Sequence, residues 1–245
     1  MRKVYRALEE WNSWLTEPAG KDLLALEREY LTRHLSILFG RHALLIGVPK
    51  QIDFLSVCDF HYPALMSYLT LKENALSAFQ SDLTELPIAS GSIDLVIIPH
   101  ILEYAAQPHR LFNEACRIVK PEGHIAILGF NPRGLWGIRK IFTQSKQSPW
   151  GANFLPRERI KKWLRLAEFS LLKQDMLLFR PPLPEKQYFN QLKFLEFVGK
   201  KLYKPLGGVY FILAQAKVIP LTPIRLKWKQ KLADFEPSVL TGSMS

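Results

Sequence analysis

Cysteine is almost missing from this chain: Cys58 and Cys116 are the only two in 245 residues. They stand far apart and in no metal-like spacing, which excludes a disulfide framework. A reducing compartment fits such usage, and a cytoplasmic protein is expected. Long apolar runs are missing too. The longest, around Ile93 to Leu102 and Gly207 to Leu221, fall short of the roughly 20 residues that cross a bilayer and read as strands. The stretch Met1 to Trp14 is basic, is interrupted by Glu9 and Glu10, and has no apolar core of signal-peptide length, which points away from secretion. Acidic residues are scarce, 22 Asp and Glu against 33 Lys and Arg, leaving a formal net charge of +11. The excess collects in the last quarter, from Lys193 through Lys217 to Lys231, where Glu196 is the only acid before Asp234. Such a surface attracts an acidic partner or RNA, and it serves solubility equally well.

What is present is the grammar of an α/β domain. Lys21 to Phe39 repeats apolar residues at helical spacing, with Gly40 where a C-terminal cap belongs. Ala43 to Val48 then runs ALLIGV, the unbroken pattern of a strand buried on both faces of a parallel sheet. Similar runs follow at Tyr62 to Leu69, Ala75 to Phe79, Ile93 to Ile98 and Ile125 to Leu128. Pro108 to Val119 carries a helical stripe of Leu111, Phe112, Ala115, Ile118 and Val119, ended by Lys120, Pro121 and Gly123. Strand, helix and strand within about 35 residues form a βαβ unit, which demands parallel pairing. Beyond Asn131 the chain becomes basic and aromatic, with helices expected at Pro156 to Ala167 and Tyr188 to Lys201 and a last strand at Val209 to Val218. The expected organisation is an N-terminal helical segment over 1–40, a main domain over 41–222 with a cap insertion at about 132–205, and a basic, partly disordered tail over 223–245.

In an open parallel sheet ligands bind beyond the carboxyl ends of the strands. Four places qualify. Gly47 follows the first strand, where a missing Cβ lets the backbone approach a ligand or simply makes a turn. Asp82 can accept a hydrogen bond from an exocyclic amine while the Leu83 N–H serves a ring nitrogen; an Asx turn explains Asp82 as well. His100 follows the strand Ile93 to Ile98 and can serve as a base, an orienting group or a structural histidine; His61, His109 and Tyr104 are secondary candidates. Asn131, in Gly129 to Pro132, offers donors and acceptors at a pocket rim or makes a turn before proline.

The stretch from Ser81 to Asn131 resembles the second half of the methyltransferase type 11 family. Leu86-Pro87, Ile93-Asp94, Pro108 and Arg117 to Gly123 (RIVKPEG) occupy the family's places in order. With Pro18, Gly20, Leu23, Glu27, Phe39-Gly40, Leu44, Gly47, the GFNP run, Gly137 to Lys140 and Ile219 to Thr222, the resemblance extends over roughly residues 18 to 222 and points to a bacterial subgroup. It implies a Rossmann-like, mostly parallel seven-stranded sheet with helices on both faces. It further implies S-adenosylmethionine as cofactor, with Gly47 near the methionine moiety and Asp82, Leu83 and His100 at the donor site. Asp94, at the beginning of its strand, reads as structural. Two of the three glycines of the family's first motif are missing from Ile46 to Lys50, and position 45 carries no acid. Lys50, or groups from the helix Lys21 to Phe39, can substitute, and Glu73 is the nearest acid for the ribose hydroxyls. Three functions follow: methyl transfer to a small-molecule acceptor with His100 as base or orienting group, a noncatalytic binding module, or an RNA surface in which Trp136, Phe142, Trp150, Phe154 and Trp163 stack on bases.

Overall fold

The computed structural model describes residues 2–70, 78–143, 147–180 and 206–218. The first helix, α1 (Arg2–Trp14), forms around Leu8 and Trp11, both buried, with Leu15 buried just past its end. Helix α2 (Pro18–Leu35) opens on a proline, which costs nothing where the N–H has no helical acceptor, and buries Leu23, Glu27, Tyr30, Leu31 and Leu35. At Gly20 a Cβ would lie 2.3 Å from the Trp14 carbonyl oxygen, so glycine is what lets α2 turn back against the end of α1.

Seven strands make one sheet: β1 (Phe39–Ile46), β2 (Asp59–Ser67), β3 (Ala78–Gln80), β4 (Ile93–Pro99), β5 (Val119–Phe130), β6 (Phe169–Leu177) and β7 (Val209–Ala216). Their order is β3-β2-β1-β4-β5-β7-β6. The pairings from β3 to β5 are parallel, while β7 runs antiparallel to both β5 and β6. The central strands are apolar on both faces, as ALLI of β1 and LVII of β4 show, because helices leave neither face to water. Those helices include α3 (Pro108–Ile118), α4 (Leu135–Phe142) and α5 (Arg157–Leu166). The mostly parallel Rossmann-like sheet is the one expected.

Three boundaries differ from expectation for physical reasons. Gly40 does not cap α2; it already lies in β1, paired with Phe60. The expected stop at Lys120 to Gly123 falls inside β5, whose first residue pairs with Ile93 before a register shift lets the polar residues pass. The region expected to be a helical cap contains β6, an edge strand with exposed Leu171 and Leu172 that completes the sheet. The expected helix at Tyr188 to Lys201, Glu73, and the tail beyond 218 lie outside the described residues.

Asp94 is structural, as its position suggested. Its carboxylate accepts the N–H groups of Arg41 at 3.2 Å and His42 at 2.9 Å, and the Lys120 ammonium at 2.8 Å, tying β1, β4 and β5 at the amino edge of the sheet. Partial burial pushes its pKa up, but the Lys120 and backbone donors outweigh this and hold it below the usual range. Its contribution is therefore complete at neutral pH and is lost as pH falls through the depressed folded value. Asp94→Asn should lower stability by about 1 to 2 kcal/mol in urea denaturation at pH 7, the scale of charge-assisted hydrogen bonds, and should flatten the acid limb of the stability curve.

Candidate functional site at the carboxyl edge of the sheet

Strands β1 and β4 are neighbours in space but not in sequence, so the chain leaves them toward opposite sides and opens a crevice beyond their carboxyl ends. Four groups of residues converge there: Gly47 to Gln51 after β1, Tyr68 to Thr70 after β2, Asp82 and Leu83 after β3, and His100 to Tyr104 after β4. Helix α1 lies across them. The Trp11 ring packs 5.3 Å from His100, 5.6 Å from Tyr104 and 5.9 Å from Phe130, centroid to centroid. Asn12 accepts the Lys50 N–H at 3.0 Å, and Tyr5 sits against Tyr68 with its hydroxyl 3.4 Å from that of Thr70.

The loop after β1 is closed by its own sequence. A Cβ on Gly47 would come within 2.8 Å of the Gln51 side-chain oxygen, so the room left by glycine is taken up by that amide. Gln51 is fully buried, accepts the Val48 N–H at 3.1 Å and donates to the Pro99 carbonyl at 3.4 Å. In this geometry the Gly47 backbone lies against Gln51. Lys50 points outward and meets α1, rather than α2, through its own N–H.

His100 is wholly buried, with a left-handed backbone at φ 58°. Its Nε2 lies 2.6 Å from a Glu27 carboxylate oxygen and its Nδ1 3.1 Å from one of Glu103, whose other oxygen accepts the Phe130 N–H at 2.5 Å. Burial alone would lower the His100 pKa; the two carboxylates override it and raise it to about 9. The two carboxylates thus favour the protonated ring, which works against His100 serving as a base. Both ring nitrogens are occupied by Glu103 and Glu27 in this arrangement, which is the geometry of the structural histidine weighed as the alternative. Burial also raises Glu103 above the ordinary carboxylate range. Sequence reasoning named Glu27 only as part of the resemblance and passed over Glu103, although Glu27 falls on the buried stripe of α2 between Leu23 and Leu31, a place where an acid needs a partner.

Asp82 is exposed, and its Oδ1 accepts the Thr84 N–H at 3.1 Å and hydroxyl at 3.2 Å, the turn geometry foreseen as its alternative. With Leu83 it lines a hollow of about 200 Å³ shared with Tyr68, Ala105, Arg110 and Val4 of α1. A larger cavity of about 810 Å³ lies between α1, the loops after β1 and β2, and the turn at Gln147 to Trp150. Glu9, Glu10 and Glu17 line it, with Arg6 paired to Glu10 at 3.2 Å; Leu69, Thr70 and Trp150 complete the wall. Asn131 makes the turn, donating to the Gly207 carbonyl at 2.9 Å and accepting the Arg133 N–H at 3.1 Å, and it also lines a small hollow of about 100 Å³ with Pro132, Arg157 and Met176. His61 accompanies the amino end of β2, and Tyr104 is buried with its hydroxyl 3.3 Å from Ser148. Trp136, Phe154 and Trp163 are core residues, and Phe130 stacks on both Trp136 and Phe154, so these rings are not free to stack on bases.

A folded-state pKa above the unfolded one means that the protonated His100 stabilises fully below about pH 6.5 and that this contribution is lost as pH rises through about 9. The raised Glu103 acts in the same direction. The urea midpoint of the wild type should fall across that interval. His100→Gln, which leaves two buried carboxylates without their cation, should cost about 3 to 5 kcal/mol at pH 6.5 and show a shallower fall.

Residues 55–127 match the methyltransferase-domain family model. The uncharacterized protein YafS of Escherichia coli K12 is 29% identical over 202 residues, 81% of this chain and 77% of that protein. A SAM-dependent methyltransferase from Thermotoga maritima shares the fold with a TM-score of 0.64 at 16% identity, over 88% of this chain and 99% of the other. Geranyl diphosphate C-methyltransferase from Streptomyces coelicolor, solved with S-adenosyl-L-homocysteine, gives 0.55 at 13% identity, over 81% and 80%. The matched segment lies within the sheet's parallel half, and the seven-stranded order with β7 reversed is the fold these methyltransferase structures share.

Proposed function

We propose that this protein is a SAM-dependent methyltransferase that takes its donor into the cavity of about 810 Å³ beside α1 and passes the methyl group to a small molecule. The observation that carries the reading is the lining of that cavity. Donor sulfonium and ammonium groups are cationic, and Glu9, Glu10 and Glu17 set three carboxylates around a space at the ends of β1 and β2. The volume lies within the range of ligand pockets. These residues fit the donor's charge, whereas the Gln51-filled loop does not offer it the usual glycine backbone. The acids of α1 thus take the role that the sequence reading sought in Lys50, α2 or Glu73.

When bound, the donor supplies an electrophilic methyl group; the chain's part is to hold and align. Displacement at a methyl carbon gains most from fixed orientation, so no catalytic base is required for a well-aligned acceptor. The carboxylates hold the cationic centre, Trp14 and Trp150 exclude water on one side, and Tyr5 separates this cavity from the hollow of Asp82 and Leu83. A cytoplasmic location accords with two free cysteines whose thiols burial raises to about 11 and about 12. No described helix is long and apolar enough to cross a membrane.

A second reading, a noncatalytic binding protein, is favoured by one observation: the Gln51 amide inside the strand-1 loop. Calorimetry separates the two. Binding of S-adenosylmethionine and S-adenosylhomocysteine is expected, and the combined Glu9→Gln, Glu10→Gln and Glu17→Gln variant should weaken the cationic donor about tenfold, roughly 1.4 kcal/mol, and the uncharged product less. A folded protein that binds neither ligand supports the noncatalytic reading.

A further inference from the structure

A second hollow, of about 410 Å³, lies where α2, the start of α5 and the edge strand β6 meet, and it shares no lining residue with the cavity beside α1. Three cationic side chains reach it from three elements: Arg33 of α2, Arg157 of α5 and Lys173 of β6. Its only lining carboxylate, Asp175, is engaged by the Tyr30 hydroxyl and lies 3.5 Å from the Lys173 ammonium. The other acids near these cations, Glu29 at 2.9 Å from Arg33 and Glu158 at 3.1 Å from Arg157, are more than half exposed. Pairs so wet are worth about 1 kcal/mol or less, so a more highly charged anion can displace them.

The wall is aromatic. Tyr30 and His34 lie 4.4 Å apart, and both rings face Phe211 of β7, at 5.1 Å and 6.2 Å; Phe179 and Met176 also line the space. Burial first, and then the Lys173 and Arg33 charges, hold the His34 pKa below its ordinary value, as expected beside a positive field. Cations on the rim and rings on the wall suit one kind of ligand. We propose that this hollow is an anion-binding site for a phosphorylated small molecule with an aromatic or apolar body, distinct from the methyl-transfer site. The phosphate is bound by Arg33, Arg157 and Lys173 through charge-assisted hydrogen bonds, for which guanidinium forks are well shaped. The body of the ligand lies against Tyr30, His34 and Phe179.

Titration of the full chain with phenyl phosphate, with inorganic phosphate as the comparison, tests this. Phenyl phosphate should bind at least threefold tighter than inorganic phosphate, and both should weaken as salt rises. The Arg157→Gln, Lys173→Gln double variant should lose at least tenfold for both. Arg33→Gln, a change on an exposed helix face that leaves the fold unaffected, should lose about threefold. Absence of phenyl phosphate binding to the folded protein, or equal affinity in the wild type and both variants, would overturn the proposal. So would a preference for inorganic phosphate, because the aromatic wall would then take no part.

Discussion

An imidazolium sealed between two carboxylates, away from water, is the constraint on which the carboxyl edge is built. Taking such groups out of water is costly unless each has its counter-charge in good geometry. Glu27 comes from α2, His100 from the end of β4, Glu103 from the turn that follows, and the Phe130 N–H from the end of β5. No one of them can shift without stranding another. The left-handed backbone at His100 persists because its surroundings determine it so completely. The arrangement fixes how α2 crosses the strand ends, and thereby the platform on which α1 rests.

Upon that platform α1 is secured by aromatic contact. Trp11 stacks on Trp14, Trp14 meets Trp136 edge-on, and Trp136 stacks on Phe130 and Trp150. The helix is a structural roof whose inner side is apolar and whose outer side contributes acids and Tyr5 to the cavities. One surface thus serves packing while the next serves recognition. With the strand-1 loop packed by Gln51, the carboxylates that line the large cavity come from α1 and the turn after it and not from the strand ends.

Much of the fold was legible because buried parallel strands have an unmistakable composition: ALLIGV and IDLVII announced β1 and β4, and the stripe of α3 was found almost to the residue. β6 was not, because FSLLKQDML alternates too poorly for an edge strand half open to solvent and sits among basic, aromatic sequence. The residues at the strand ends were legible as places, but their surroundings were not. His100 was singled out, yet its charge state depends on Glu27, which is 73 residues away in sequence. Gly47 was also singled out, but whether a glycine faces a ligand or an amide is decided by where Gln51 points, and periodicity says nothing of that. The acids of α1 were read as interruptions of a leader because the search for ligand contacts was confined to the ends of strands.

The order of the last two strands has a consequence for how the protein is made. β7 is the last of the described strands in sequence, yet it lies between β5 and β6 and pairs with both. On a ribosome β6 emerges first and has no neighbour within the sheet until residues 209–216 have left the exit tunnel. The growing chain can assemble β1 to β5, but that edge of the sheet stays open until β7 follows. Exposed Leu171 and Leu172 on the waiting strand mark the nascent segment that would gain most from a chaperone.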